Sequence, residues 1–369
     1  MRLFIKLLIA FPFITIIDLG VDTSPLLVFI IIVLFIFQFE KYLRIKYHLF
    51  LFTVSLFFFS FLSFSLSNTD HSFTNFLQYL FFIITLIFFN KNKIEFSNKE
   101  IFSIMIIYFL FGIIQLFIDG TAGSSLVPSL RSSVLQLGRG VASLNSEPSF
   151  YGITMLLFIF ILQNKKRDRF RDISIFLAIF QIIFLSRSTL GILILIVSYF
   201  FLIGPKKLIK YSPIILLLLI LPFVYFLSDD SRVFSLISKV TDFGVLEMFA
   251  KDESALNRLM RLLTPFYSSY IFFPGFAMFD HYTYTSMQLS NYLGFSSFLS
   301  DDNNRITGGI LPLFHHFGVY GLIFIIYFFY FSHRSSKKGK LFLFLCSLTP
   351  LIIFNPLFVY SLYKCCEAK

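Results

Sequence analysis

The sequence predicts an all-α polytopic membrane protein with about eleven transmembrane helices in a single integral membrane domain, residues 1–369. Three observations lead to this fold class. Hydrophobic residues make up 57% of the chain and charged residues only 14%, a balance unlike that of soluble proteins. Apolar runs of about 15 to 25 residues recur along nearly the whole length, and about 20 apolar residues cross a bilayer core. Lysines and arginines collect in alternate connections between the runs.

The apolar runs define the predicted spans in chain order. Each is rich in Phe, Leu, Ile and Val, the composition of a helix in hydrocarbon. Because Trp is absent, the 18 Tyr supply the interfacial aromatic belt. The predicted spans are residues 3–18, 24–39, 47–66, 73–89, 101–118, 148–163, 172–186, 188–203, 211–228, 306–331 and 341–363.

The basic residues predict the topology. Most of the 31 Lys and Arg fall at the N-terminus or after even-numbered spans, which places them all on one side of the membrane. The positive-inside rule makes that side cytoplasmic. The net charge of +11 is therefore a topology signal, and we predict no nucleic-acid partner. An odd span count puts the C-terminus outside, whereas a last segment broken at Pro350 and Pro356 would return it to the cytoplasm.

The opposite, outer side carries the two larger loops. The first covers residues 119–147 and the second residues 229–305. The second is too long for a simple connector, so we predict that it is functional. Within it, Ser254–Phe273 has the pattern of an amphipathic helix that lies along the membrane surface.

The first group of candidate residues precedes the sixth predicted span. Arg139 and Glu147 stand at the edge of hydrocarbon, where a charge is costly and its default interpretation is functional. An alternative is a helix start, with Ser146 as N-cap, Glu147 beside the positive helix end, and Pro148 and Ser149 in the first turn. That alternative leaves Arg139 unexplained.

Two further groups supply arginines on the predicted outer face. Ser186 and Arg187 lie in a tight turn between the seventh and eighth spans, where Arg187 could equally be a snorkelling anchor of the hairpin. Arg258 and Arg261 are three residues apart, so they share one helix face. The alternative for this pair is a stripe that faces solvent or lipid headgroups.

Two adjacent histidines, His315 and His316, lie in the tenth predicted span. Imidazoles can serve as acid or base groups. A polar contact between helices is an equal alternative, since the pair lies about three turns into the predicted helix. Metal binding is less favoured, because adjacent residues point to different helix faces and no third ligand is evident.

Arginines directed at one outer surface suit a phosphate ligand. A guanidinium group forms forked, charge-assisted bonds to phosphate oxygens and keeps its charge. Such groups would bind a membrane-embedded diphosphate lipid and stabilise a departing diphosphate without a metal ion. We therefore predict no metal and no cofactor other than the lipid carrier.

The order of these residues resembles that of bacterial O-antigen polymerases of the Wzy type. The resemblance covers roughly residues 130–330 and consists of order, spacing and topology. The segments that carry it are Arg139 with Ser146-Glu147-Pro148-Ser149, Ser186-Arg187-Ser188-Thr189-Leu190-Gly191, Arg258 with Pro274-Gly275-Phe276, and Phe317-Gly318-Val319-Tyr320-Gly321. The chain departs from the family at His316, where an acidic residue is common, and its Pro274-Gly275-Phe276 stretch lacks the second Gly that is often seen. The related O-antigen ligases have a His nearer the start of the late span.

The resemblance implies a glycosyl transfer at the periplasmic face of the bacterial inner membrane. The growing glycan would leave undecaprenyl diphosphate and join a newly flipped, lipid-linked repeat unit. Arg139, Arg187 and Arg258, supported by Arg261, would bind the two diphosphates. Glu147 would orient an arginine or act as general base; we favour orientation, because pairing with Arg makes a carboxylate a poorer base.

His316 or His315 is the other candidate base that the resemblance leaves open. Pro148, Ser149, Ser186 and Gly275 would support the site. The implied partners are the lipid-linked oligosaccharide repeat unit, membrane lipids, a chain-length regulator and a flippase. Two alternative functions are an O-antigen ligase, which transfers glycan to lipid A-core, and a polysaccharide transporter or flippase.

Overall fold

The computed structural model describes most of the chain. The described residues are 2–15, 26–37, 47–66, 70–127, 130, 140–203, 238–242, 244, 247–248, 253–271, 282–295, 311–331, 353 and 355–366. Within them, every regular element is a helix and no strand occurs. The prediction of an all-helical protein is therefore confirmed for the part of the chain that the structure describes.

Twelve α-helices of at least nine residues make up this part of the fold. One π-helical turn, Gln181–Ser186, continues the seventh of them. The helices are α1 (Arg2–Ala10), α2 (Leu26–Phe37), α3 (Tyr47–Leu66), α4 (Asp70–Asn92), α5 (Asn98–Phe117), α6 (Pro148–Gln163), α7 (Arg169–Phe180), α8 (Thr189–Ile203), α9 (Glu253–Ile271), α10 (Tyr282–Tyr292), α11 (Leu311–Phe331) and α12 (Pro356–Cys366).

Three of the described helices are long and apolar enough to cross a membrane. The stretches that qualify are Leu49–Leu66 of α3, Phe73–Asn92 of α4 and Asn98–Phe117 of α5, with 18, 20 and 20 residues. At about 1.5 Å per residue each reaches about 27–30 Å, the thickness of a bilayer core. Shorter apolar stretches occur in α2, α6 and α11.

The helices coincide with most of the predicted spans. The bounds of α3, α4, α5 and α6 agree with the third to sixth predicted spans to within three residues. The continuous first span, 3–18, is wrong: α1 ends at Ala10, because Pro12 cannot continue the hydrogen-bond ladder. The predicted span at 211–228 and most of that at 341–363 lie outside the described residues.

Helix α6 lies at the centre of the bundle. All residues from Ser149 to Leu162 are buried, and α5, α7, α8 and α12 pack around it. Such a helix presents no face to lipid. Gly152 brings α8 close, since a Cβ at this position would lie 3.1 Å from the Cβ of Ser188. Polar groups at the start of α6 are therefore held among helices.

Ion pairs gather at one end of the bundle. Lys6 Nζ of α1 lies 2.8 Å from Glu100 Oε1 at the start of α5. Lys364 Nζ, near the end of α12, lies 3.6 Å from Glu95 Oε1 in the α4–α5 connection. The C-terminal end of α12 is thus beside a connection rich in lysine, as the broken last segment would require. The side of the membrane on which the C-terminus lies stays a prediction.

The same end of the bundle receives the C-terminal end of α6. Lys165 follows this helix, and its Nζ donates to the carbonyl of Phe96 in the α4–α5 connection. Burial lowers the pKa of the Lys165 ammonium group. The start of α6 lies at the opposite end, about 24 Å away along its 16 residues.

Candidate functional site

Glu147 occupies the N-cap position of α6, with an extended backbone (φ −143°, ψ 156°) and Pro148 as the first helical residue. Its carboxylate does not cap the helix; instead Oε2 accepts a hydrogen bond from Ser149 Oγ at 3.2 Å. The predicted N-cap, Ser146, is wrong by one residue. The buried Ser146 hydroxyl makes no hydrogen bond within the described residues. The helix start therefore does not account for the Glu147 side chain.

The segment before Glu147 is held by a buried amide of α5. Gln115 Nε2 donates to the carbonyl of Ser143 at 2.8 Å and to that of Ala122 at 2.7 Å. Gln115 Oε1 accepts from the Ser143 N–H at 2.6 Å. Ser143 Oγ donates to the Tyr108 carbonyl at 2.6 Å. Both backbone groups of Ser143 are thereby satisfied without water.

Two further polar contacts join α6 to its surroundings. Thr154 Oγ1 donates to Asn145 Oδ1 at 2.9 Å, which ties the second turn of α6 back to the preceding segment. Tyr151 donates to Gln181 Oε1 in the π-helical turn at 2.6 Å. All four side chains are buried. Such interhelical contacts satisfy groups that have no water partner in a bilayer.

The connection between α7 and α8 is the hairpin turn that the sequence predicts. Arg187 adopts the left-handed conformation (φ 46°, ψ 29°) directly after the π-helical turn. Its Nε donates to the Phe184 carbonyl at 3.3 Å, and the side chain is half-buried. Ser186 Oγ accepts from the Ser188 N–H at 3.3 Å. The turn therefore has a defined backbone, and the Arg187 guanidinium group is bonded back to the π-helical turn.

Gly140 brings the preceding segment against this turn. A Cβ built on Gly140 would lie 2.1 Å from the carbonyl oxygen of Ser186, a distance that no side chain tolerates. The next residue, Val141, donates its N–H to the Leu185 carbonyl at 2.8 Å. The segment that leads to Glu147 and the turn that carries Arg187 thus meet through backbone contacts.

The Gly140→Ala variant is expected to force these two segments apart. Backbone atoms of Ser186 cannot yield as a flexible side chain can, so we expect a loss of about 1–3 kcal/mol in the free energy of unfolding. Thermal unfolding of the purified protein measures it. The Gly191→Ala variant is the matched control, because a Cβ there meets its nearest atoms at 3.4 Å, an ordinary contact. Equal destabilisation in both variants would contradict the close approach at Gly140.

The structure brings some of the predicted site residues together and leaves others unplaced. Glu147, Pro148 and Ser149 lie at the start of α6, and Ser186 and Arg187 lie in the turn packed against the same segment. Two further predicted residues, Arg139 and Gly275, lie outside the described residues.

His315 and His316 lie in the second turn of α11 and contact different helices. His316 Nδ1 lies 2.6 Å from the hydroxyl oxygen of Tyr79 in α4. His315 Nδ1 lies 2.8 Å from Ser268 Oγ in α9. Both imidazoles are buried. The predicted alternative of polar contacts between helices is confirmed; an acid–base role stays a prediction.

The backbone conformation after the histidines requires both of the glycines that follow them. Gly318 interrupts α11 with φ 54° and ψ −129°, a conformation that glycine alone adopts readily. A Cβ on Gly321 would lie 1.9 Å from the Leu313 carbonyl oxygen, so the chain folds tightly across the break. The Gly-x-x-Gly pattern therefore marks a helix interruption, which membrane proteins tolerate where it is enclosed by protein.

Helix α9 confirms the helix predicted at Ser254–Phe273, whereas its place along the membrane surface stays a prediction. Leu256 and Met260 pack in a small core with Leu289 and Phe295, which lie in or directly after α10. Arg261 is half-buried on α9. The backbone of Arg258 belongs to the same helix, and its side chain lies outside the described part of the structure.

Sequence reasoning missed the amides that organise the site. Gln115 and Gln181 each stand inside a predicted apolar span. A buried amide in hydrocarbon needs a partner, so its position could have marked a polar contact between helices. No comparable signal identifies Asn145, a polar residue that becomes buried only when the chain folds. Among the described residues, no group of three or more His, Cys, Asp or Glu could hold a metal ion.

The fold and these contacts define an all-helical protein that has helices able to span a membrane and a buried polar cluster at one end of its bundle. The cluster joins an acidic helix start to a turn that carries an arginine. Comparisons with protein families, curated proteins and solved structures find no match.

Proposed function

We propose that the protein is an O-antigen polymerase, a membrane-embedded glycosyltransferase that joins undecaprenyl-diphosphate-linked repeat units into polysaccharide. One observation carries the proposal. The helix start with Glu147 and the turn with Arg187 are packed together at the end of α6 that lies opposite the ion-paired, lysine-rich end. Gly140, the sequence neighbour of Arg139, forms that contact with Ser186.

The proposed topology places this site at the periplasmic face of a bacterial inner membrane. About eleven spans would put the basic connections in the cytoplasm, in accordance with the positive-inside rule. The lysine-rich end of the bundle would then be cytoplasmic and the start of α6 periplasmic. The second outer loop, 229–305, would place α9 and α10 on the periplasmic side.

The reaction needs cationic groups near the lipid diphosphate. The bond between the anomeric carbon of the donor and its phosphate oxygen breaks, and undecaprenyl diphosphate leaves with both bonding electrons. A hydroxyl of the acceptor sugar forms the new glycosidic bond, and its proton passes to water or, if Glu147 acts as general base, to the Glu147 carboxylate. Arg139, Arg187 and Arg258 would bind the two diphosphates, with Arg261 in support, and would stabilise the leaving group.

The contacts support different roles for the acid and the histidines. Glu147 is half-buried at the proposed site, where its carboxylate accepts a hydrogen bond from Ser149. His315 and His316 are engaged with Ser268 and Tyr79 between helices. We therefore assign the two histidines to the cohesion of α4, α9 and α11, and orientation to Glu147.

The proposal implies one partner that supplies the substrate and one that acts on the product. A flippase would deliver the lipid-linked repeat unit to the periplasmic leaflet, and a chain-length regulator would act on the growing polymer. Membrane lipids would surround the exposed apolar faces of α3 and α5, where Phe58 and Leu110 are exposed. The reaction requires no metal in this scheme.

The test is the lipopolysaccharide of a strain that lacks this protein, with and without the wild-type gene. A polymerase predicts loss of the long ladder and accumulation of core capped by a single repeat unit. Bare core would indicate a ligase, and lipid-linked repeats trapped on the cytoplasmic leaflet would indicate a flippase. Either of the latter results would overturn the proposal.

A further inference from the structure

Gln115 is a buried amide that makes three hydrogen bonds near the candidate site. It lies in the last turn of α5 and is only 2% exposed. Its two side-chain atoms bond both backbone groups of Ser143, at 2.6 and 2.8 Å. Its Nε2 also donates to Ala122, in the connection that follows α5. One side chain therefore joins a helix end to two separate loop segments.

Ser143 depends on this support because its backbone is in the left-handed region, with φ 53°. Left-handed conformations are unfavourable for a residue with a Cβ. Ser143 itself is fully buried, so its N–H and carbonyl cannot form hydrogen bonds with water instead. Loss of the Gln115 amide would leave both groups without partners, and the segment would then relax toward another conformation.

The two ends of this segment carry the candidate charges. At one end, Gly140 packs on Ser186, beside Arg187. At the other end, Glu147 begins α6. The bonds from Gln115 fix the midpoint between them, and no other side chain bonds both backbone groups of a described residue in 140–147.

We propose that Gln115 is a positioning residue of the candidate site, which sets the separation of Glu147 from the Arg187 turn by clamping Ser143. The expected effect of this clamp on catalysis rests on the proposed function. A clamp of this kind acts on geometry, and a displacement of about 1 Å at a reacting group can cost about 10²-fold in rate. Its loss should affect turnover more than substrate binding.

The test compares Gln115→Met with the wild type, because Met has similar size and no amide. Amide hydrogen exchange of peptides that cover residues 140–147 should become about tenfold faster, while exchange in the body of α6 stays unchanged. With a purified lipid-linked repeat unit as substrate, kcat should fall about 10²-fold at nearly constant KM.

Two further variants separate positioning from general stability. Tyr360→Phe removes a buried 3.0 Å hydrogen bond to the Ile94 carbonyl at the other end of the bundle, and should change neither exchange in 140–147 nor kcat. Ser143→Gly keeps both backbone groups for Gln115 and accepts the left-handed backbone, so it should retain most of the wild-type kcat even though it removes the hydrogen bond from Ser143 Oγ to the Tyr108 carbonyl.

Unchanged exchange in Gln115→Met, or an equal fall of kcat in Tyr360→Phe, would overturn the positioning role. Failure of the proposed function is distinguishable from this. Wild-type protein that forms no polymer would overturn the polymerase assignment and the catalytic consequence of the clamp. The exchange measurement needs no turnover, so it would still show whether Gln115 holds the segment.

Discussion

Replacement of Arg139 by lysine is expected to abolish the long O-antigen ladder. Lysine keeps the positive charge and loses the planar fork that bonds two phosphate oxygens at once. Removal of one preorganised group that stabilises developing charge typically costs about 10²–10³ in turnover. Gly140, the next residue in the chain, packs against the turn that carries Arg187, which supports a joint role for the two arginines. The measurement is the lipopolysaccharide ladder of a deletion strain complemented with the variant.

The matched control is Arg131→Lys, which makes the same substitution in the same predicted outer loop. Arg131 belongs to none of the segments that resemble the polymerase family, so its lysine variant should support a wild-type ladder. Immunoblots should show equal amounts of both proteins in the membrane. If Arg139→Lys at normal expression gave a wild-type ladder, Arg139 would not bind the diphosphate through a forked pair of hydrogen bonds.

The second large effect is expected for Glu147→Gln. The Glu147 carboxylate does not cap α6, so neutral Gln should leave the helix start intact and the protein folded. If Glu147 orients an arginine through charge, the variant should lose about 1.5–3 kcal/mol of a charge-assisted contact, or roughly 10- to 150-fold in turnover. In vitro polymerisation of a lipid-linked repeat unit measures the loss.

The pH–rate profile separates orientation from general base catalysis. General base catalysis contributes about 10²–10⁴-fold, and a carboxylate base produces an acidic limb that Gln would abolish. Orientation through charge predicts a shallower acidic limb, which levels off at the roughly 10- to 150-fold lower rate of the Gln variant. Asp119→Asn is the control, since Asp119 lies beyond the end of α5, where the hydroxyl and N–H of Thr121 bond its carboxylate and lower its pKa. Full activity of Glu147→Gln would exclude both roles.

Particular residues show which features of the site could be predicted from the sequence. The turn at Arg187 was predictable, because two apolar runs with almost no polar residues between them require a tight hairpin. The start of α6 was predictable from Pro148, although the N-cap falls on Glu147 and not on Ser146. Side-chain capping depends on the rotamer that packing allows, and the sequence does not specify it.

The histidines illustrate what the sequence left open. Paired imidazoles in an apolar span were compatible with catalysis or with contacts between helices. The choice depends on which polar groups other helices bring to them, and those groups, Tyr79 and Ser268, are 237 and 47 residues away in the chain. No local pattern encodes such a pairing.

Taken alone, the amino-acid chain predicts the helical membrane class, since the length of apolar runs and the distribution of lysine and arginine are properties of the chain itself. It also points to the acidic helix start and the arginine turn as unusual charges near hydrocarbon. Packing decides that these two segments meet, because only the folded bundle presses Gly140 onto Ser186. Packing likewise gives Gln115 its place, since a buried amide acquires a role only from the backbone groups that folding brings within hydrogen-bond distance.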